Sequence, residues 1–321
     1  MMVLFLGSCT STDCRETNIE GQKADLTVER KESQLFKAGS VEEVTGFLNH
    51  HPTLRDHFFY ASEYPDISVL SSRIFKVIQD EYIDTLYREA IEQFDASAQS
   101  FEDRLETALG NLNSQFPQIG VPKVQTIVSG LYNDLYISDS IIVVGIDYFV
   151  GDGATFRPND IPAYILKRYN HDYVVPSIMK FFIQDIPQYG VENTLLSEMI
   201  DFGKIYYALG VLMPCVPDHQ IIGFTADEMS EVKANQEVIW ASLIENEALY
   251  ETSEFIKTKF LGERPNVYEI GEKCPGRIGA WVGWEIVKAY VESTGISLRE
   301  LLEITNHHQL FAESGYKPQN L

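Results

Sequence analysis

The spacing of apolar side chains changes twice along the chain and divides it into helical and β regions. Up to about residue 115 and again from residue 161, apolar residues recur at three- and four-residue intervals, which indicates amphipathic helices. Between these regions, residues 124–150 are rich in valine, isoleucine and tyrosine, which predicts paired strands. The predicted helices are 41–50, 66–94, 100–115, 161–169, 174–186, 194–213, 226–246, 253–260, 276–293 and 297–305, and the predicted strands are 124–131 and 136–150.

This order of elements predicts an α+β fold that is predominantly helical, with a small central β-sheet and a helical C-terminal half. No repeat or low-complexity block occurs after about residue 35, so residues 35–321 are predicted to form a single domain. The chain has 321 residues, 45% of them hydrophobic, and this is enough to bury a substantial core.

The charge balance narrows the possible partners. The chain has 25 basic and 47 acidic residues, a net charge of −22, which repels nucleic acid and anionic lipid headgroups. We therefore expect no nucleic-acid partner. No apolar stretch after the N-terminus is long enough for a membrane-spanning helix, so we expect membrane contact through a lipid anchor alone.

The N-terminus carries the pattern of a lipid-anchored protein. Residues 1–8 are apolar or small, and Leu6-Gly7-Ser8-Cys9 resembles the lipobox of bacterial lipoproteins. This predicts a signal remnant at 1–8, lipidation of Cys9, and a flexible tether over the polar residues 9–34. The alternative interpretation of residues 1–8 is an ordinary buried N-terminal strand.

The other cysteines and the histidines leave several interpretations open. In an oxidising compartment Cys215 and Cys274 either pair or remain two solitary buried thiols. A weaker interpretation makes Cys215 a nucleophile beside His219. The seven histidines show no metal-ligand spacing, and neighbours such as His307 and His308 do not face each other on a helix.

The predicted helix 194–213 carries the most informative polar residues. Glu198, Asp201 and Lys204 follow one another at three-residue intervals in an apolar stretch, and buried charges must be paired or coordinate an ion. A neutralising network with Lys204 and Arg277 is the simpler interpretation. The alternative is an oxygen-rich site of Glu198, Asp201 and Glu237, which suits a hard divalent cation rather than zinc.

The segment 274–290 is unusual for its glycines. Glycine within a helix costs about 1 kcal/mol relative to alanine, so Gly279 and Gly283 indicate that another backbone packs closely there. The second interpretation is a cleft that is rimmed by Trp281, Trp284 and Arg277 and binds an extended peptide or a sugar.

Several of these segments together resemble the gliding-motility-associated lipoprotein B family of Gram-negative gliding bacteria. The resemblance implies an envelope lipoprotein that is distantly similar to predicted zinc-dependent proteases of the zincin type. The glutamate of the His-Glu-x-x-His motif would be Glu198, while Ser197 and Asp201 stand where the zinc-binding histidines would be. The matching pieces are the lipobox ending at Cys9, 144–151, 164–169, 198–204, 235–240, 276–290 and 314–318.

Two functions follow as expectations. The first is a catalytically silent lipoprotein on the periplasmic face of the outer membrane, which binds an envelope protein or peptide segment, for example by addition of a strand along 141–150. Lys204, Arg277, Trp281 and Trp284 are its predicted binding residues. The second is a metal-dependent hydrolase in which Glu198 is the general base, with Asp201 and Glu237 around a non-zinc metal.

Overall fold

The strands of the chain assemble into one small mixed sheet. The computed structural model describes residues 14–15, 19, 23–95 and 100–318, and within them the strands are β1 (Val28–Arg30), β2 (Lys123–Ile127), β3 (Leu135–Ile137) and β4 (Ile141–Gly145). The order across the sheet is β1-β2-β4-β3, in which β1, β2 and β4 are parallel and β3 is antiparallel to β4. The predicted central sheet is confirmed, and the predicted second strand proves to be two strands joined by a tight turn.

The position of β4 corrects one expectation. β4 pairs with β2 on one side and with β3 on the other, so its backbone hydrogen-bonding groups are already used. Addition of a partner strand along Ile141–Gly145 does not fit this topology, because only an edge strand offers unpaired groups.

Helices make up most of the described residues, as predicted. They are α1 (Glu32–Phe36), α2 (Val41–His50), α3 (Ile67–Ile78), α4 (Ile83–Asp95), α5 (Phe101–Gln115), α6 (Ala163–Leu166), α7 (Val174–Ile183), α8 (Leu195–Leu212), α9 (Asp218–Ile222), α10 (Ala226–Ala234), α11 (Gln236–Glu245), α12 (Glu254–Leu261), α13 (Ile278–Thr294), α14 (Leu298–Glu303) and α15 (His307–Ser314).

Two helices predicted as continuous are interrupted in the structure. The predicted helix 66–94 is α3 followed by α4, because Gln79 leaves helical geometry and the Asp80 carboxylate accepts a hydrogen bond of 3.0 Å from the Tyr82 N–H. The predicted helix 226–246 is α10 followed by α11, with a break at Asn235. An aspartate that bonds backbone two residues ahead forms a turn, which the continuing apolar period conceals.

The N-terminal region also differs from expectation. Residues 28–34, predicted as the end of a flexible tether, contain β1 and the start of α1. The Lys31 N–H donates to Thr126 O at 2.9 Å, and the buried Glu32 carboxylate accepts a hydrogen bond of 2.5 Å from Thr126 Oγ1. This part of the chain therefore belongs to the sheet. Residues 1–13, including Cys9, lie outside the described residues.

The sheet separates two hydrophobic clusters. Alternate residues of a strand point to opposite faces. Ile142 and Val144 of β4 therefore pack into a large cluster with α5, α7, α8 and α13, while Val143 packs into a smaller cluster with α2 and α3. The helices of the C-terminal half, which the sequence predicts to be helical, therefore pack into the larger of the two clusters.

Helices α8 and α13 form the centre of the larger cluster and pack through glycines. A Cβ added to Gly203 would overlap the backbone of Gly283, and one added to Gly283 would overlap Met199 O. The sequence left two interpretations of the glycines in 274–290 open, and at Gly283 the structure supports close packing of another helix. The two helix backbones approach each other where a side chain would keep them apart.

Candidate functional site

The polar residues of α8 lie in a core helix that begins at a capped end. Thr194 caps it by accepting a hydrogen bond of 3.2 Å from the Ser197 N–H, and most of the following side chains are buried. Ser197 is 2% exposed, Asp201 9% and Lys204 0%. Side chains this deeply buried need polar partners within the protein.

Lys204 has three such partners. Its ammonium donates to Gln188 O and, at 2.9 Å, to Ile304 O, and it lies 3.6 Å from Asp201 Oδ1. Two hydrogen bonds and one ion pair thus hold the ammonium within the protein. Lys204 therefore joins α8 to the two segments that flank it.

His307, at the start of α15, completes the buried cluster. Its Nδ1 lies 2.9 Å from Ser197 Oγ and 3.0 Å from Ser197 O, and its Nε2 lies 3.5 Å from Asp201 Oδ1. A hydroxyl, an imidazole and a carboxylate thus follow one another in space, but His307 Nε2 makes no hydrogen bond to Asp201, and an Nδ1–H that donates to Ser197 O cannot accept the serine proton as a triad base does. We name Ser197, Asp201, Lys204 and His307 the α8 cluster.

The α8 cluster is closed by Gly190. The Gly190 N–H donates to the Asp201 carboxylate at 3.2 Å, and a Cβ on Gly190 would overlap both Ser197 Oγ and His307 Nδ1. A nucleophile must be reachable by the substrate. Ser197 is instead covered by the segment that precedes α8, and the cluster is a packed polar network.

Burial sets the ionisation of the cluster. It raises the pKa of Asp201 from 3.8 to about 6, although the nearby Lys204 ammonium and the Gly190 N–H oppose the rise. Burial, together with the positive charge of Lys204, lowers the pKa of His307 from 6.5 to about 4. At neutral pH the imidazole is therefore neutral, and the Asp201 carboxylate is charged and faces Lys204.

Glu198 is engaged separately, on the outer side of α8. It forms an ion pair with Lys257, whose side chain is only 2% exposed. Lys257 also contacts Glu254 at 2.5 Å and donates to Asn193 Oδ1 at 2.7 Å. Glu198, the candidate general base, is thus one of three side chains that bind the buried Lys257 ammonium, and with Glu254 it neutralises the charge.

The predicted cation site is not assembled. Glu237 is exposed in the first turn of α11, and no ion pair or hydrogen bond joins it to Glu198 or Asp201. Among the residues that the structure describes, no group of three or more histidine, cysteine, aspartate or glutamate residues could hold a metal ion. The set of Glu198, Asp201 and Glu237 therefore does not form the predicted site.

Arg277 is held at the start of α13 by neighbouring backbone. Its guanidinium donates to Ile222 O at 2.6 Å and to Gly223 O at 2.9 Å, and its Nε lies 3.1 Å from the Glu263 carboxylate. No ion pair joins it to Glu198 or Asp201, the α8 acids that it was expected to neutralise. Its backbone has positive φ (+61°). Its contacts are those of a residue that fixes the loop after α9.

The cleft over α13 differs from the predicted one. Trp281 is 2% exposed and Trp284 is 1% exposed, so both are core residues. The Lys288 ammonium lies 4.1 Å from the Trp284 ring centroid, which covers the ring from the outside. A surface groove of about 770 Å³ runs along the outer side of α13, and Trp281 is among its lining residues, whereas Trp284 and Arg277 are not.

A disulfide joins the N-terminal segment to the end of α8. Cys14 pairs with Cys215, and Cys274 is free and buried, with a pKa that burial raises to about 12. The next residue, Arg15, donates its N–H to Pro214 O at 2.9 Å and pairs with Asp218. The predicted alternatives for Cys215, a bond to Cys274, a solitary thiol or a nucleophile, are therefore wrong.

Another buried acid shapes the end of the sheet. Asp147 follows β4 and is fully buried, and its carboxylate accepts hydrogen bonds from the backbone N–H groups of Leu131 (2.6 Å) and Ser129 (3.0 Å). Burial raises the pKa of this carboxyl, and the hydrogen bonds oppose the rise. The acid stabilises a turn in which Gly130 and Leu131 both have positive φ. Its role is structural.

Sequence reasoning missed the residues that come from far along the chain. His307 lies 110 residues from Ser197, and Cys14 lies 201 residues from Cys215. Lys257 is 59 residues from Glu198. The segment 256–261 also contains Thr258 and Lys259, so nothing in its sequence marks Lys257 as the lysine that is buried.

The fold and the site define a mostly helical α+β protein whose N-terminal segment is fastened by a disulfide and whose central helix carries a closed polar network. A family model described as gliding motility protein GldB matches residues 12–318, and the chain belongs to this family, which is one of envelope lipoproteins. No helix among the described residues is both long and apolar enough to cross a bilayer.

No curated protein and no solved structure matches the chain. The family membership expected from the sequence motifs is thus confirmed, whereas the implied similarity to zinc-dependent proteases of the zincin type is not shown.

Proposed function

We propose that the chain is a non-catalytic lipoprotein on the periplasmic face of the outer membrane, where it binds another envelope protein. Family membership supports the envelope and the lipoprotein character. The metalloprotease interpretation of α8 has no support from the fold or from the comparisons, and it forms no part of the proposal.

The observation that carries the proposal is the state of the polar residues on α8. Glu198 is paired with Lys257, Asp201 with Lys204, and Ser197 is covered by Gly190. Catalysis by any of these groups requires access for a substrate and an acid, base or nucleophile that is free to react. None of the three meets both requirements, so we assign them to the stability of the fold.

The disulfide supports the proposed compartment. Disulfides persist in the periplasm and on cell surfaces and are rare where thiols are kept reduced. Cys14 bonds to Cys215, and the Arg15 side chain holds the same loop through Asp218. These contacts favour an oxidising location for the folded chain, in agreement with the envelope.

The disulfide also bears on how the lipid anchor holds the domain. Four residues lie between the predicted lipidation site, Cys9, and Cys14, and the five Cα-to-Cα steps that join the two cysteines span at most about 18 Å when extended. On this proposal the membrane lies close to Cys215, beyond the C-terminal end of α8. The anchor then holds one end of the domain at the bilayer instead of letting it turn freely.

The test is complementation with variants of the would-be catalytic groups. In a strain that lacks its own copy, Ser197→Ala and Glu198→Gln are expected to complement the deletion as fully as the unaltered gene does, with equal amounts of protein at the outer membrane. If Glu198→Gln accumulates normally but fails to complement, the proposal is overturned in favour of the hydrolase alternative. Peptide hydrolysis by the purified chain with Mg²⁺, Ca²⁺ or Mn²⁺ provides a second readout, and it is expected to be nil.

A further inference from the structure

The N-terminal end of α8 carries an exposed apolar surface. Tyr189, Val191, Tyr250 and Phe255 are respectively 55%, 78%, 58% and 72% exposed. Large apolar side chains that are exposed together mark interaction sites in soluble proteins. We name these four residues the α8 N-terminal patch.

Hydrogen bonds bring the segments of the patch together. The Leu195 N–H donates to Glu251 O at 2.9 Å, which places the residue after Tyr250 at the first turn of α8. Lys257 donates to Asn193 Oδ1 at 2.7 Å, which joins the helix that carries Phe255 to the segment after Val191. These hydrogen bonds hold the segments of the patch together at the N-terminal end of α8, although its members are up to 66 residues apart in the sequence.

Three further contacts fix the patch. The Val191 N–H donates to Thr305 O, and the Tyr250 ring stacks on the His308 ring with centroids 5.5 Å apart. The Tyr189 hydroxyl donates to Gln184 O at 2.7 Å. The patch is thus pre-organised by the same segments that close the α8 cluster, and a partner would not have to order it.

The charges around the patch are mainly acidic. The chain has no lysine or arginine between Lys233 and Lys257, a stretch with five glutamates, and none between Lys180 and Lys204, a stretch with four acids. Glu247, Glu251 and Glu254 are exposed beside the apolar residues. Of the nearest lysines, Lys257 is buried in its ion pairs and Lys259 lies against the Phe255 ring. The result is an apolar centre with an acidic rim.

The patch lies at the end of α8 that is opposite to the disulfide. Helix α8 has 18 residues, and at 1.5 Å per residue it is about 27 Å long. If the lipid anchor holds the Cys215 end near the bilayer, the patch faces away from it. A negatively charged rim also disfavours contact with anionic lipid.

We infer that the α8 N-terminal patch is the docking surface for a basic, apolar segment of another envelope protein, in which lysine or arginine residues flank leucine or aromatic side chains. The inference rests on the proposed function and names the class of partner. Complementary charge steers such a partner to the patch, and the apolar centre supplies the binding free energy.

The test compares two sets of paired variants of the full-length chain. The first set disrupts the patch, with Tyr250→Ser/Phe255→Ser and, separately, Glu247→Lys/Glu251→Lys. The second set changes exposed residues elsewhere in the same way, with Tyr82→Ser/Tyr268→Ser and Glu81→Lys/Asp139→Lys. The charge-reversal pairs change the net charge equally, so a general effect of charge appears in both.

The probe is a short synthetic peptide of alternating lysine and leucine, with a glutamate and leucine peptide as its counterpart, measured by fluorescence anisotropy. We expect binding of the lysine peptide to weaken at least about tenfold in each patch variant and to stay within about twofold in each control. We also expect the lysine peptide to bind less tightly at higher salt, and the glutamate peptide not to bind.

Other outcomes would overturn the inference. If the patch variants and the controls bind the lysine peptide alike, the patch is not the docking surface. If the unaltered chain is a dimer that the patch variants dissociate, the occupant is a second copy of the chain. If vesicles of phosphatidylethanolamine and phosphatidylglycerol bind the unacylated chain through the patch, the occupant is a membrane.

The inference and the proposed function fail in different ways. Loss of complementation by Glu198→Gln alone contradicts the non-catalytic role and leaves the peptide measurements unaffected. Full complementation by both patch variants contradicts the docking surface and leaves the non-catalytic role intact.

Discussion

The α8 cluster should reveal itself in the pH dependence of stability through two opposing contributions. Asp201 has a pKa of about 6 in the folded chain and His307 one of about 4, against ordinary values of 3.8 and 6.5. At about 1.4 kcal/mol per pH unit, each difference corresponds to about 3 kcal/mol of stability. The contributions of Asp201 and His307 to stability have opposite signs over nearly the same range of pH.

The sign of each contribution follows from which state holds the proton. Between pH 4 and 6 the folded chain keeps the Asp201 proton that the unfolded chain releases, so this carboxyl lowers stability as pH rises. Between pH 4 and 6.5 the unfolded chain binds a proton at His307 that the folded chain does not, so the imidazole raises stability as pH rises. In the unaltered protein the two contributions nearly cancel.

Single substitutions should separate them. With Asp201→Asn, the free energy of unfolding relative to the unaltered protein should rise by about 3 kcal/mol from pH 4 to 6. With His307→Gln, it should fall by about 3 kcal/mol from pH 4 to 6.5. The groups that face the pair, Lys204, Glu198 and Glu192, remain in both variants.

Urea unfolding followed by circular dichroism, at half-unit steps of pH, measures both difference curves. Subtracting the curve of the unaltered protein removes the titration of all other acids. Flat difference curves, or slopes of the same sign in the two variants, would refute the burial of this pair and with it the closed cluster.

Two further predictions concern the packing of the chain. Reduction of the disulfide, or Cys14→Ser/Cys215→Ser, removes a cross-link across 201 residues and should lower the free energy of unfolding by up to about 5 kcal/mol in the chain-entropy model; equal urea midpoints with and without reductant would contradict this. Gly283→Ala places a Cβ against Met199 O and should cost about 3 kcal/mol, whereas Gly153→Ala, with open space around it, should cost almost nothing. Calorimetry that gives both alanine variants the same Tm would show that α8 and α13 do not pack through this glycine.

The sequence was most informative where a periodic pattern and a cap coincide. The predicted helix 41–50 has the same bounds in the structure, and Thr194 caps α8 where the apolar period begins. The family was also recognised from short motifs, and the family match covers nearly the whole chain. Helix periods, caps and short motifs depend only on residues that are close in the sequence, so they can be predicted from a single sequence.

What the sequence did not predict depends on distant neighbours or on short elements. β1 has three residues with partly exposed side chains, so it leaves no alternation to detect in a polar segment. The partners of Cys215 and Ser197 come from opposite ends of the chain, and no spacing rule connects them. The predicted cation site failed because a helix places Glu198 and Asp201 on one element but leaves the position of Glu237 to the tertiary fold.

We propose that the chain binds a partner and catalyses no reaction, and a single complementation experiment distinguishes these two roles. Ser197→Ala, Glu198→Gln and Tyr250→Ser/Phe255→Ser are introduced separately into the chromosomal gene, and the phenotype is scored at equal amounts of protein in the outer membrane. We expect the first two variants to behave like the unaltered gene and the third to behave like the deletion. The reverse pattern, with function lost in Glu198→Gln and kept in the patch variant, would contradict the proposal.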